Sequence, residues 1–212
     1  MKMKIDRILI ITTIVCLLPI AMSIYFYDRL PEQMPVHWNI QGQPDNYASR
    51  EFAAFGLPML MAALNFMTHM FLNNDPKKAN YSAALKNLSK WLIPLLTLLL
   101  MPVTIFASMG YPVEIQVVVP IIVGVIITVC GNYLPKCKQN YTMGIKLPWT
   151  LNSEENWNRT HRMAGYLWTA GGIVLILATF LNLNTLPLLL TVLFVLVAVP
   201  AIYSYKLYKK GI

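Results

Sequence analysis

The sequence predicts an all-α polytopic membrane protein with six transmembrane helices and both termini in the cytoplasm. Three observations carry that expectation. Of the 212 residues, 57% are hydrophobic and only 12% are charged, about half the charged share of a soluble domain. The apolar residues gather in six runs near the ~20 residues that a helix needs to cross a bilayer. The basic residues are also unevenly placed. Fifteen of the seventeen fall in the amino terminus, the 73–90 and 132–162 loops and the tail, and only Arg29 and Arg50 fall elsewhere. Cytoplasmic loops collect Lys and Arg, so six alternating spans put all fifteen inside.

That bias also accounts for the formal charge of +8. The sequence therefore gives no reason to expect direct nucleic-acid binding, and membrane lipid is the first partner. Cys16 and Cys130 lie in apolar runs, while Cys137 lies in a lysine-rich loop where thiols stay reduced. No CxxC pair suggests a metal or redox centre.

Taken in order, Met1–Arg7 is basic and Ile8–Tyr27 is apolar. Ala21-Met22-Ser23 resembles a cleavage site, but the run continues beyond it, so a retained first helix is expected. Asp28–Arg50 is polar, and Met34–Ile40 partly alternates, which predicts a short strand pairing across a Gln41-Gly42 turn. Phe52–Leu72 is the second span, with Pro58 placed to kink it. In Asn73–Lys90, residues Tyr81, Ala84, Leu85 and Leu88 recur at helical spacing, predicting an amphipathic helix that runs into the third span. Trp91 marks the membrane interface.

Trp91–Ser108 and Pro112–Gly131 are the third and fourth spans, joined by a tight turn at Met109-Gly110-Tyr111. Ala164–Leu181 and Leu186–Tyr203 are the fifth and sixth, joined across Asn182-Leu183-Asn184-Thr185. The chain divides into a two-span module at 1–72 and a four-span module at 73–212, which contains the polar 132–162 loop.

Chemistry within the spans is sparse. No Asp, Glu, Lys or Arg is expected well inside one, which argues against an ion path. His69, with Asn65 one turn before it, is the ionisable intramembrane candidate, and a hydrogen bond between helices is its ordinary role. No metalloprotease, phosphate-loop or nucleophile-elbow pattern is present. Neither catalysis nor a cofactor is expected.

Two polar segments remain. In the outer one, Pro35, His37, Asn39, Gly42 and Asp45 suit either ligand binding or a turn whose polar side chains satisfy local backbone donors. In the inner one, Pro135 and Pro148 interrupt helix. Asn152 or Ser153 can cap a helix whose first turn holds Glu154 and Glu155, placing negative charge at the positive end of the helix dipole. Trp157 and His161 then share a face at i, i+4, and Gly165 and Gly171 permit close packing in the bilayer. An interfacial anchor would explain Trp157. It explains Trp149 poorly, because Trp149 precedes the helix. Trp149, Glu154, Glu155, Trp157 and His161 are therefore expected to form a partner-facing surface.

Gly131, Asn132, Tyr133, Pro135, Lys136, Asn140, Gly144, Ile145, Pro148, Trp149, Thr150, Leu151, Glu154, Glu155, Trp157, Thr160, His161 and Arg162 together resemble the signature of the SdpI immunity-protein family. The pattern Pro35-x-His37-x-Asn39-x-x-Gly42-x-Pro44-Asp45 is similar to the uncharacterised amino-terminal membrane module that often accompanies it. Membership implies a multi-pass protein of the bacterial plasma membrane that protects the cell against a secreted peptide toxin. It also implies a signalling role, holding a small cytoplasmic winged-helix repressor at the membrane when toxin is present. The sequence departs from the pattern at Lys146 and Leu147, where Arg and usually Thr are expected. Lys lacks the bidentate fork of Arg. A small membrane transporter or export component is the other class of function that the residues allow.

Overall fold

The computed structural model describes residues 6–39, 41–181, 183 and 185–212, with the backbone alone at Thr185 and Leu186. Residues 1–5 of the basic amino terminus, Ile40, Asn182 and Asn184, which enter the expectations above, lie outside the described residues. The chain is mostly helical, and six helices are long and apolar enough to cross a membrane, as the hydropathy pattern predicts. Contacts divide it into two units. The first comprises Met1–Asn74 and Lys86–Glu114, the second Asp75–Leu85 and Ile115–Ile212.

In the first unit, helix α1 (Arg7–Tyr25) starts where the Asp6 carboxylate accepts the Leu9 N–H at 2.7 Å, satisfying one of the free donors of the first turn. An antiparallel hairpin follows, with β1 spanning Gln33–Trp38 and β2 spanning Pro44–Ser49. Pairing across the predicted turn is therefore present. Leu30 and Met34 fix the base of the hairpin against Ala53, Ala54 and Ile105, all buried.

The next helix opens with a π-helical turn over Phe52–Gly56 and continues as α2 (Leu57–Asn74). The distortion lies beside Pro58, which cannot donate the backbone hydrogen bond that a regular α-turn requires. The region after α2 corrects an expectation. Asn73–Lys90 is not one amphipathic helix, because Asp75-Pro76 breaks it, and a single 3₁₀ turn over Lys78–Asn80 follows. Helix α3 begins at Ala83 and runs to Ser108, with the Ser82 hydroxyl accepting the Leu85 N–H at 3.2 Å. Tyr81 thus lies off the helix. Gly110, at φ 81°, makes the tight turn expected between the third and fourth spans.

In the second unit, α4 (Ile115–Tyr133) ends in a 3₁₀ turn over Leu134–Lys136 that contains Pro135. The short helix α5 (Pro148–Asn152) precedes α6 (Glu154–Phe180), and α7 (Thr185–Lys209) completes the unit. Glycines at i, i+7 on two helices set the α4/α6 crossing. A Cβ on Gly172 would meet Gly124 O at 2.5 Å, and one on Gly131 would meet Thr169 N at 2.5 Å. Gly165 similarly receives the Pro135 ring. Helix α7 is held to α6 by Trp168, whose indole donates to Leu196 O at 3.0 Å.

Candidate functional site

The polar loop before α6 folds around a few buried side chains in the second unit. Asn140, fully buried, accepts the Thr142 and Met143 N–H groups at 2.9 and 2.6 Å and donates to Lys138 O at 2.8 Å. This asparagine-closed turn leads into Gly144 at φ 96°, a conformation that side-chain-bearing residues rarely adopt. A Cβ there would also strike the His161 ring.

The His161 imidazole is neutral with its proton on Nδ1. Nδ1 donates to Trp157 O at 2.8 Å, and Nε2 accepts the Ile145 N–H at 2.9 Å. Trp157 stacks on that ring with centroids 4.0 Å apart, and its indole donates to Cys137 O at 2.6 Å. Thr150 fastens the other end of the loop by accepting the Leu147 N–H and donating to Ile145 O. Asn140, Gly144, Thr150, Trp157 and His161 are thus brought together.

They do not form the expected surface. Trp157 is 0% and His161 1% exposed, because a loop rich in backbone donors needs buried partners and an aromatic core to close over. The motif residues left exposed include Asn132, Pro135, Lys136, Lys146, Pro148, Glu154 and Glu155. Lys136 sits over the Tyr133 ring, Lys146 donates to Thr142 O at 3.0 Å, and Glu155 pairs with Arg159 at 2.5 Å. Ser153 caps α6 by accepting the Asn156 N–H at 3.1 Å, as expected for that acidic first turn.

Three residues central to this architecture escaped the sequence reading. Asp75, 4% exposed, accepts the Lys77 and Tyr141 N–H groups and the Tyr81 and Thr142 hydroxyls, all within 2.9 Å. Burial alone would raise its pKa, but those four donors outweigh it and hold the carboxyl below its ordinary value. Burial and the Asp75 carboxylate push the Tyr81 phenol up. Gln139 donates to Thr150 O and Leu151 O and accepts from the Lys77 ammonium. Asn156 donates to Ser204 O and Ile212 O, while its own carbonyl accepts from Thr160 and Ser204. Asp75 was visible as the single acid among four lysines, directly before a proline.

Trp149 turns away from this core. It packs with Tyr205 and Tyr208 of α7 beside a cleft of about 450 Å³ lined by Pro148, Trp149, Asn152, Ser153 and Tyr208.

The first unit holds a separate buried polar cluster. Asn65 and His69, both 0% exposed, meet Thr12 of α1 at 3.0 and 3.2 Å. A charged pair adjoins this cluster, between Asp6, which caps α1, and Lys90, which directly precedes Trp91. Lys90, in the third long apolar helix and 1% exposed, donates to Asp6 at 2.5 Å, and His69 Nδ1 stands 3.9 Å from the same carboxylate. The Asp6 carboxyl is held below its ordinary value: burial opposes this, and the Lys90 and Leu9 hydrogen bonds outweigh it. The pair joins positions far apart in sequence, so only Lys90 beside Trp91 hinted at it.

In the hairpin, Pro35 lies within β1. Asn39 accepts the Gln41 and Gln43 N–H groups at 2.9 and 3.0 Å, and Gly42 takes φ 74°. Those two residues build the turn. His37 and Asp45 instead meet across the strands at 2.6 Å with side chains 67% and 41% exposed. Among the described residues, no group of three or more His, Cys, Asp or Glu side chains is placed to hold a metal ion.

Comparison with known proteins agrees with the resemblance seen in the motif residues. Residues 136–204 match the SdpI/YfhL protein family, and residues 14–62 match a domain of unknown function (DUF1648). The chain is 28% identical over 202 residues to the immunity protein SdpI of Bacillus subtilis (strain 168), covering 95% of this chain and 96% of that relative. No solved structure matches it. Together with the six apolar helices, these similarities describe a multi-pass bacterial membrane protein.

Proposed function

We propose, taking the similarity to SdpI as premise, that this protein confers immunity on a bacterial cell by binding a secreted peptide toxin or antimicrobial at the plasma membrane. The observation that carries the reading is the span of the similarity, which runs through nearly the whole of both chains. Binding rather than catalysis is the mode. The buried groups of the motif loop are consumed by its own backbone, with the histidine engaged on both ring nitrogens. The lysine-rich distribution orients the termini and the 132–162 loop to the cytoplasm and the hairpin to the outside.

In this reading the motif loop is a rigid cytoplasmic platform. Its exposed residues, Glu154 among them, are where a winged-helix repressor would be held when toxin is bound. The buried Lys90 ammonium paired with Asp6 at the ends of two spans is the observation nearest to the alternative, a small transporter, since charge buried among spans is a feature of substrate paths.

Two assays separate the readings. Bacillus subtilis cells lacking SdpI and expressing this chain should survive the toxin that SdpI counters. Vesicles containing the chain should show no substrate flux beyond empty vesicles. Flux without protection would transfer the assignment to transport.

A further inference from the structure

The hairpin has an open edge with a charge of its own. Among the described residues β1 and β2 pair only with each other. The Arg50 N–H donates to Glu32 O at 2.9 Å. The alternation of an antiparallel ladder therefore turns the peptide groups of Ser49 and Tyr47 outward. The corresponding outward positions on β1 are Gln33, opposite Ser49, and Pro35, opposite Tyr47, and Pro35 has no N–H to offer. The β1 edge is therefore blunted at Pro35, whereas Tyr47 and Ser49 both keep their outward N–H groups on β2.

The open strand is presented to solvent along almost its whole length, while β1 is anchored by Met34 at 0% exposure. Tyr47, 51% exposed, stands on it. A register shift at Asp45 breaks the ladder and aims that carboxylate at His37, the kind of re-aiming that β-bulges produce.

Charge singles out the same place. Four of the nine acidic residues (Asp28, Glu32, Asp45 and Glu51) but only two of the seventeen basic ones (Arg29 and Arg50) lie in 28–51. The segment therefore carries −2 in a chain of +8. One of the two cations is engaged locally, since Arg50 donates to Leu30 O and lies over the Tyr27 ring.

From these observations we infer that the β2 edge at Tyr47–Ser49 takes an extended segment of a cationic peptide as a third strand. Backbone pairing gives affinity, as in other strand additions, and the acidic hairpin selects sign of charge. This deepens the immunity reading and rests on its orientation.

The test uses the full chain in nanodiscs of phosphatidylcholine, which has no net charge. The probes are two short peptides, one alternating valine with lysine and the other valine with glutamate. Hydrogen exchange is followed along 44–49. The Lys–Val peptide should slow exchange at Tyr47 and Ser49 and bind about tenfold tighter than the Glu–Val peptide. Tyr47→Pro removes an outward N–H without touching a ladder bond and should abolish that protection. Glu32→Gln with Asp45→Asn keeps the strand and should narrow the difference between the peptides to about threefold or less.

Equal binding of the two peptides, protection that survives Tyr47→Pro, or no protection at β2 would overturn the inference. Cell survival distinguishes it from the broader reading. A chain that protects cells while β2 stays silent loses this inference alone. A chain that binds through β2 without protecting cells loses the immunity reading alone.

Discussion

Replacing Asp75 by Ala should loosen the whole motif loop. The carboxylate gathers two backbone N–H groups, from Lys77 at 2.7 Å and Tyr141 at 2.9 Å, and two hydroxyls. The Tyr81 and Thr142 hydroxyls can rotate toward other acceptors, but the two N–H groups cannot. A hydrogen bond to a charged group contributes ~1.5–3 kcal/mol, so stranding both should cost about 3–6 kcal/mol locally. Asp75→Asn keeps an acceptor where three donors converge and loses the one facing Lys77, a cost of about 1–3 kcal/mol. Hydrogen exchange of 137–151 in detergent-solubilised protein reads the effect, with Ala faster than Asn and Asn faster than the parent.

The same cluster sets a pH window. The folded Asp75 carboxyl titrates below its ordinary value of 3.8. Its contribution is therefore full above that value and is lost as the pH falls through the folded one. The Tyr81 phenol is raised above its ordinary 10.0. Its contribution is full below that value and fades as the pH rises beyond it. Exchange rates in Asp75→Ala that match the parent at neutral pH would refute the idea that this carboxylate holds the loop.

Three further predictions follow from the fold and its orientation. Lys90→Met alone should lower stability by about 2–3 kcal/mol, at the low end for a broken buried pair because Asp6 stays 37% exposed; Lys90→Met with Asp6→Asn should recover part of the loss in thermal unfolding. Gly172→Ala should separate α4 from α6, since Gly124 O and Thr128 N lie within 2.7 Å of the added carbon, and it should destabilise far more than Gly171→Ala, which meets only side chains at 3.2 Å. A cysteine placed at Gln43 should react with an impermeant thiol reagent in intact cells, while one at Lys138 or Lys209 should not; labelling of Lys138 from outside would reverse the proposed orientation.

What the sequence disclosed and what it hid divide along range. Features fixed within a few residues were legible: the six apolar helices, the Gly110 turn, the Ser153 cap, and Trp157 with His161 on one face. Features that depend on distant partners were not. Asp75 gains its meaning from Tyr141 and Thr142, and Lys90 from Asp6, none of which local spacing can link. Tyr81 shows how spacing misleads. It fell on a helical period but works from a loop, because Asp75-Pro76 had already ended the helix. Trp157 and His161 were placed on the correct face, yet that face closes on Gly144 and Ile145 rather than on a partner.

The resemblance to the SdpI family implies a toxin that attacks the cell membrane, so the immunity reading meets its most direct test in the membrane potential of single cells exposed to toxin. Bacillus subtilis lacking SdpI is loaded with a potential-sensitive dye and expresses either this chain or an empty vector. The prediction is that cells carrying the chain hold their potential while vector cells depolarise. Depolarisation at the same rate in both, with the chain confirmed abundant in the membrane, would contradict it.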